Sequence, residues 1–339
     1  MMRLPYFNYF APQSVREAVE RLAASPGDSM LVAGGTDVLP NMKRRQQCPS
    51  NLIGLRSIGE LKHVSNGDGF TIGAGVTLSE LLRIPRLRET HRGLWQAASQ
   101  IATPHLRNMG TIGGNLCLDT RCNYYDQSYE WRKAINFCMK KDGETCWVAT
   151  SSPKCLAVSS TDLAPMLIAL GASVTLAEAE GDRRVAVGDL YRNDGIHYLA
   201  RKPTELLSAV HLPGGAWRSA YWKLRRRGSF DFPVLSAAAA VRLARDGSVD
   251  EARIVLGAIA SSPLEAREAA ASLVGQPLTD ATIAHAADLA AQPARPMDNT
   301  DFSLHWRKRV AREFVAYALE EVRGDDVTDL RRKVSRLLL

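Results

Sequence analysis

The chain has 339 residues, of which 45% are hydrophobic and 23% charged, and its formal net charge at pH 7 is +7. This composition is ordinary for a globular protein of two or three domains, and no apolar run approaches the roughly 18–20 residues that span a bilayer. The basic residues are scattered except at 223–227, and the N-terminus lacks the apolar run of a signal peptide. We therefore expect a cytoplasmic protein that binds neither membranes nor nucleic acid.

The first half of the chain alternates helix and strand signals. Ser14 and Thr77 are each followed three residues later by a glutamate, an arrangement typical of a capping box at a helix start. A short apolar run at 30–33 leads directly into a glycine pair and predicts a strand. Further strands are predicted at 52–55 and 70–75, and helices at 14–24 and 93–101.

The pattern changes between residues 118 and 158. This segment is rich in Cys, Tyr, Trp, Lys and Asp and has no sustained period of 2 or 3.6. Regular patterning returns with a predicted helix at 161–170 and predicted strands near 173–176 and 205–212. We therefore interpret residues 1–215 as one domain that contains an insertion at 118–158.

Beyond residue 215 the order of elements becomes strands followed by helices. Strands are predicted at 217–224, 233–243 and 252–260, and helices at 263–274, 279–291 and 303–322. This order predicts a second domain over 216–330, in which a helical bundle covers one face of a three-stranded antiparallel sheet. The expected fold class is α+β.

Two glycine loops are candidates for binding phosphate. Gly34-Gly35-Thr36-Asp37 follows a predicted strand, and Thr111-Ile112-Gly113-Gly114-Asn115 precedes the insertion. Glycine lets main-chain N–H groups approach an anion without a Cβ in the way, and the threonine hydroxyls add donors. Neither loop matches the Rossmann or Walker A pattern. Together they indicate a phosphate or dinucleotide site, with the two loops holding two phosphates from opposite sides.

The same loops carry a family resemblance. Ala33-Gly34-Gly35-Thr36-Asp37 and residues 106–115 (LRNMGTIGGN) resemble the flavin-binding subunits of the xanthine oxidase family of molybdenum hydroxylases, and the similarity covers nearly the whole chain. It implies a two-part FAD-binding domain of the PCMH type and a C-terminal domain of the CO dehydrogenase flavoprotein type. The residues that it implies at the FAD are Leu31, Val32, Ala33, Gly34, Gly35, Thr36, Asp37, Val38, Ile101, Gly110, Thr111, Ile112, Gly113, Gly114, Asn115, Asp162, Leu207 and Lys223.

Four of these residues also have a simpler interpretation. Asp162 could be a first-turn carboxylate that the helix dipole favours, and Lys223 could be an exposed strand lysine. The resemblance places Ile101 near the flavin ring and Leu207 over the cofactor, but both could be ordinary core residues. The sequence leaves these alternatives open.

The six cysteines are distributed unevenly. Cys48 stands alone, whereas the other five lie within 39 residues, at Cys117, Cys122, Cys138, Cys146 and Cys155. In a cytosolic protein such a group more often binds metal than forms disulfides. Four thiolates can hold a [4Fe–4S] cluster or a zinc ion. The gaps of 15, 7 and 8 residues that follow Cys122 differ from the paired knuckles of zinc sites, and redox-inert zinc gains nothing from a flavin nearby.

The insertion makes the resemblance more specific. Asn115 and Asp162 lie 47 positions apart, far more than in ordinary members of the family. The extra segment resembles that of a branch that reduces an aromatic acyl-CoA. For that branch the resemblance implies a [4Fe–4S] cluster bound by Cys122, Cys138, Cys146 and Cys155, with Cys117 beside the flavin and outside the cluster.

The resemblance also implies partners. The expected complex joins this chain to a large molybdopterin subunit and a small subunit with two [2Fe–2S] clusters, as a dimer of heterotrimers with ferredoxin as electron donor. Its substrate site lies on another subunit, so we expect no catalytic residue in this chain. Two alternatives stay open: the flavin subunit of an oxidative molybdenum hydroxylase, and a non-catalytic module whose cysteines bind zinc.

Overall fold

Residues 3–335 are described by a computed structural model of the chain. Three β-sheets organise these residues, and most of the helices pack around the cores that the sheets form. Within the described range, no helix has both the length and the apolar character that crossing a membrane requires.

The N-terminal sheet consists of β1 (Asn8–Phe10), β2 (Ser29–Val32) and β3 (Asn51–Gly54), with α1 (Val15–Ala24) and α2 (Val38–Lys43) in the connections. Its order is β1-β3-β2 and its strands are parallel, as crossover connections require. Ser14 caps α1 as predicted, but the capping box is only half formed. The Glu17 carboxylate accepts from the Gln13 N–H instead of returning to Ser14.

The central sheet consists of β4 (Val64–Asn66), β5 (Phe70–Gly73), β6 (Ser173–Ala177), β7 (Arg183–Ala186) and β8 (Leu206–Leu212), with 3-10 turns at Gly59–Lys62 and Gly188–Leu190. Its order is β4-β5-β8-β6-β7, and every neighbouring pair is antiparallel. The pairing of β5 with β8 joins strands that are far apart in the sequence. It therefore holds the residues after 160 against those before 115.

Seven helices lie between β5 and β6: α3 (Leu78–Leu82), α4 (Pro85–Thr90), α5 (Arg92–Ser99), α6 (Pro104–Arg107), α7 (Ile112–Leu116), α8 (Tyr129–Ala134) and α9 (Leu163–Ala169). The predicted capping box of Thr77 and Glu80 at the start of α3 is complete. All residues of α9 are buried, because this helix packs against α5 and the C-terminal sheet. Helix α8 lies within 118–158 and is too short to give a helical period.

The C-terminal sheet consists of β9 (Arg218–Leu224), β10 (Leu235–Leu243), β11 (Val249–Gly257) and β12 (Leu264–Glu265), followed by α10 (Arg267–Ala271), α11 (Asp280–Ala291), α12 (Leu304–Arg323) and α13 (Thr328–Ser335). The sheet is antiparallel in the order β12-β11-β10-β9. The α+β class is thus confirmed, but the predicted three-stranded sheet has a fourth strand. This two-residue strand occupies the start of the helix predicted at 263–274 and is too short to leave a sequence signal.

Arg307 of α12 is fully buried and is bound by main-chain carbonyls. Its guanidinium donates to the carbonyl oxygens of Val234 at 3.1 Å, Met297 at 2.8 Å and Ala258 at 2.6 Å. Burial lowers the pKa of Arg307 to about 10. Because these carbonyls belong to three separate loops, the side chain connects α12 to the ends of β10 and β11.

Replacing Arg307 with methionine should therefore lower the free energy of unfolding by roughly 3 kcal/mol or more, since three buried carbonyls would lose their donors. Chemical denaturation of the purified chain measures this loss. Arg309→Met is the matched control, because Arg309 is exposed on the same helix and should change stability by less than about 0.5 kcal/mol. Equal effects of the two substitutions would contradict this account.

Candidate functional site

A pocket of about 440 Å³ lies between the two glycine loops, the start of α9 and β8. The predicted FAD residues that line it are Leu31, Ala33, Gly34, Gly35, Thr36, Asp37, Val38, Ile101, Gly110, Thr111, Gly113, Gly114, Asn115, Asp162 and Leu207. The other three predicted FAD residues do not line the pocket. Val32 and Ile112 are part of the hydrophobic core, and Lys223 is buried. The fold thus brings distant parts of the predicted set to one cavity.

A second pocket of about 390 Å³ continues past Gly34 and Thr111, which line both cavities. Its wall includes three basic residues, Arg56, Lys62 and Arg83. Two joined cavities suit an extended ligand better than a compact one. The glycine loops lie at the junction, where the phosphates of a dinucleotide need donors.

The first glycine loop has free main-chain donors. Within the described residues, no acceptor receives the N–H groups of positions 34–37, which line the main pocket between β2 and α2. Gly35 has a φ of +71°, a conformation that other residues adopt only with strain. Successive free N–H groups at a helix start form a concave anion site. This loop is therefore equipped to bind a phosphate.

The second loop is different, because most of its amides already have partners. The N–H groups of Ile112 and Gly113 donate to the carbonyls of Val76 and Ala74 at 3.0 Å, and that of Gly114 donates to the Thr111 hydroxyl at 3.0 Å. The sequence predicted a phosphate at each loop, which stays a prediction for the second loop, where only the Thr111 N–H lacks an acceptor among the described residues. The reason is that its glycines begin α7, whose first turn is anchored to the chain after β5.

Close contact between the two loops explains why particular positions are glycine. A Cβ at Gly34 would collide with the carbonyl oxygen of Met109, which lies two residues before the second loop, and a Cβ at Gly113 would lie 2.6 Å from the Cβ of Ala74, which follows β5. The loops therefore meet backbone to backbone. Any side chain at Gly34 would push them apart.

Asp162 occupies the pocket wall at the start of α9, where it makes two buried bonds. Its carboxylate accepts from the Tyr221 hydroxyl at 2.7 Å and lies 3.0 Å from the Lys223 ammonium. Burial raises the pKa of Asp162 and lowers that of Lys223, while their mutual attraction opposes both shifts. Lys223 is thus a buried partner of Asp162 and not an exposed strand lysine.

Asn115 joins the second loop to the same helix. Its side-chain oxygen accepts from the Leu163 N–H at 3.1 Å and from the Thr161 hydroxyl at 2.8 Å. Ile101 and Leu207 both line the pocket and also pack against the central core. For these two residues the cofactor and core interpretations are therefore compatible.

Several residues of the pocket escaped the sequence analysis. Phe230 and Phe232, both more than 40% exposed, lie in the loop between β9 and β10 and face the cavity. Arg121 lies 4.7 Å from the Phe232 ring and forms an ion pair with Asp37. The only feature of the sequence that could have indicated Phe230 and Phe232 is that they are two aromatic residues in an otherwise polar loop. No local pattern indicated Arg121, because Asp37 and Phe232 are distant from it in sequence.

Comparison with known families decides the assignment. Residues 5–215 match the family described as FAD binding domain in molybdopterin dehydrogenase, and residues 219–322 match the CO dehydrogenase flavoprotein C-terminal domain. The chain belongs to the FAD-binding subunits of the xanthine oxidase family of molybdenum enzymes.

Known relatives align with this flavin subunit from end to end. It is 30% identical to the carbon monoxide dehydrogenase medium chain of Afipia carboxidovorans, over 94% of this chain and 97% of that protein. It is 32% identical to the aldehyde oxidoreductase FAD-binding subunit of Escherichia coli, over 92% and 98%. A carbon monoxide dehydrogenase structure from Hydrogenophaga pseudoflava superposes with a TM-score of 0.77 at 27% identity, covering 94% and 98%.

The flavin subunit has a second, smaller site in the segment 118–158. Four buried cysteines line one cavity, and each is exposed by 7% or less: Cys122, Cys138, Cys146 and Cys155. Cys117 lines the flavin pocket instead, and Cys48 is exposed. The fold therefore separates the six cysteines into the groups that the sequence predicted.

The surroundings of these thiols suit a bound metal better than free thiolates. Burial, with a smaller contribution from the neighbouring thiols, raises the pKa of Cys122 to about 12 and that of Cys155 to about 11. The Ala157 N–H points to the Cys155 sulfur at 3.4 Å, as main-chain donors do around iron–sulfur clusters. A metal would supply the positive charge that deprotonating these thiols requires.

Neither a disulfide nor a single-ion site is formed. All six cysteines are free, and no group of three or more His, Cys, Asp or Glu in residues 3–335 is arranged to hold one metal ion. The cavity that the four thiols help to line has a volume of about 10 Å³. The donor set fits a polynuclear cluster, which stays a prediction.

Gly195 closes the cysteine site from outside the segment. A Cβ at this position would lie 2.7 Å from the Cys155 sulfur and 2.8 Å from the Ala157 nitrogen. Its N–H donates to the Cys155 carbonyl at 2.9 Å. The sequence gave no hint of this role, because Gly195 lies in the connection between β7 and β8.

Replacing Gly34 with alanine should lower FAD affinity at least about tenfold, or 1.4 kcal/mol, because the new Cβ separates the two loops. Flavin absorbance per chain after dialysis measures the loss. Gly59→Ala is the control, since a Cβ there meets nothing within 4 Å. Full flavin occupancy in Gly34→Ala would show that the loop contact is dispensable.

Replacing Gly195 with alanine should reduce bound metal by more than half and leave FAD in place, because the new Cβ displaces Cys155 and not the glycine loops. Metal analysis and flavin absorbance of the same sample give both numbers. Gly188→Ala should change neither, since its Cβ would have only ordinary contacts. Equal metal content in the two variants would show that Gly195 is not needed for metal binding.

Proposed function

We propose that this chain is the FAD- and [4Fe–4S]-binding electron-transfer subunit of a molybdenum enzyme that reduces 4-hydroxybenzoyl-CoA to benzoyl-CoA. One observation carries the proposal: four buried cysteines line a single cavity in a segment attached to the flavin pocket. A subunit that only binds flavin has no need of such a set. Family membership argues against the third possibility, a non-catalytic zinc module.

In this proposal the FAD pyrophosphate lies on the free amides of residues 34–37, and the flavin end lies near Ile101, Asp162 and Leu207. Cys122, Cys138, Cys146 and Cys155 hold the cluster. Bound there, the two cofactors would supply electron exchange between a low-potential donor such as ferredoxin and the metal centres of partner subunits. The chain itself positions both groups and excludes water from the thiols.

The proposed partners are a large molybdopterin subunit and a small subunit with two [2Fe–2S] clusters, arranged as a dimer of heterotrimers. The relatives support other subunits in general, since three of them are called medium chains. The substrate would bind on the large subunit. Loss of the phenolic hydroxyl as water takes up two electrons and two protons, so the donor must be a reductant.

A second candidate has specific support. The relatives described above are subunits of a carbon monoxide dehydrogenase and an aldehyde oxidoreductase, and the name of the first favours oxidation of its substrate. On that pattern this chain would be the flavin subunit of an oxidative molybdenum hydroxylase and would pass electrons outward. The cysteine site is the observation that favours the reductase instead.

The decisive experiment begins with the purified full chain and continues with the assembled complex. The chain should contain about four iron atoms with broad visible absorption, as one [4Fe–4S] cluster requires, and should convert no acyl-CoA by itself. The complex should reduce 4-hydroxybenzoyl-CoA with reduced ferredoxin. Serine at Cys122 or Cys146 should remove the iron and slow flavin reduction by ferredoxin, whereas Cys117→Ser should keep the iron.

The outcomes separate the candidates. A chain that binds FAD but neither iron nor zinc, in a complex that oxidises its substrate, would establish the oxidative hydroxylase. A chain with iron in a complex that does not reduce 4-hydroxybenzoyl-CoA would keep the cluster and reject the substrate. Loss of iron in Cys117→Ser, with one of the other four dispensable, would reject the ligand set.

A further inference from the structure

We propose that the buried ion pair of Lys140 and Asp119 is an oriented dipole between the two cofactor sites that favours an electron on the cysteine side. The inference rests on the proposed function, since it assigns a role to two residues that neither bind FAD phosphate nor ligate metal. It concerns the relative redox potentials of the two sites.

The position of the pair gives the dipole its direction. The Lys140 ammonium lies 2.8 Å from an Asp119 carboxylate oxygen, and both side chains are only 7% exposed. Lys140 lines the cavity of the four cysteines, whereas Asp119 lines the flavin pocket. The positive end therefore faces one site and the negative end faces the other.

Lys140 is fixed in place by three acceptors. Besides Asp119, its ammonium donates to the Thr120 hydroxyl at 2.8 Å and to the Gly195 carbonyl at 2.6 Å. The nitrogen also lies 4.9 Å from the centre of the Tyr125 ring. All three N–H groups of the ammonium thus have partners, and the charge cannot turn away from the cysteine cavity.

Asp119 is held equally firmly on the opposite side. Its second carboxylate oxygen accepts from the Tyr125 hydroxyl at 3.1 Å and from the Gln47 side chain at 3.2 Å. Gln47 also lines the flavin pocket. The carboxylate therefore stays ordered at the boundary of that pocket.

Packing alone gives little reason for this pair. Two buried charges contribute little net stability compared with apolar residues of similar size, because both lose their hydration. Their field, in contrast, is strong where water is excluded. An added electron is a negative charge, so the lysine end stabilises it at the cysteines and the aspartate end opposes it at the flavin. The expected result is a higher cluster potential relative to the flavin.

The test is a redox titration of the full chain, with the cluster followed by EPR and the flavin by absorbance. Lys140→Met should lower the cluster potential more than the flavin potential. Asp119→Asn should raise the flavin potential more than the cluster potential. A tenfold change in electron partition corresponds to about 59 mV for a one-electron couple. Lys133→Met removes an exposed lysine of the same segment and should shift neither.

The double variant Lys140→Met, Asp119→Asn should lower the cluster potential relative to the flavin potential, as each single variant does. If the difference between the cluster potential and the flavin potential is unchanged in variants that keep iron and FAD, the ion pair has only a structural role. That result would overturn the proposal. If Lys140→Met loses its iron, the flavin shift in Asp119→Asn decides, and its absence overturns the proposal. A wild-type chain without iron would refute the proposed function itself, before any variant is made.

Discussion

The backbone contact between the two glycine loops is the constraint on which the rest of the FAD domain depends. Gly34 lies directly against Met109, and the residues on both sides of this contact face the cavity. The first loop is positioned by the parallel N-terminal sheet and the second by the chain that follows β5. One half-domain must therefore dock on the other before a pocket exists, and only glycine at position 34 permits that approach.

A chain of polar contacts extends from this junction. Asp37, at the end of the first loop, forms an ion pair with Arg121, which also lies 3.2 Å from Asp126. Asp126 accepts from the Cys122 N–H at 3.3 Å. The first glycine loop and Cys122 are thus connected through two carboxylates and one guanidinium.

The sequence predicted those features that local chemistry determines. The glycine loops and the capping box at Thr77 follow from residue type and spacing, and the α+β class follows from the order of elements, whereas the division of the cysteines came from the family resemblance. What the sequence could not show depends on contacts between distant residues. Gly195, the donors of the second loop and the burial of Lys223 each involve partners that local patterns do not reveal. The short strand β12 exists only because β11 offers a free edge.

The segment with the cysteines leaves and rejoins the domain at one point. Arg121 and Val158 exchange two main-chain hydrogen bonds, at 2.8 and 2.7 Å, so the ends of the segment are side by side. Long insertions at such a closed neck add little to the entropy of loop closure. An ancestral flavin subunit could have acquired or lost the whole segment without refolding α7 or α9. Only those residues of the rest of the domain that contact the segment, such as Gly195, would then have changed together with it.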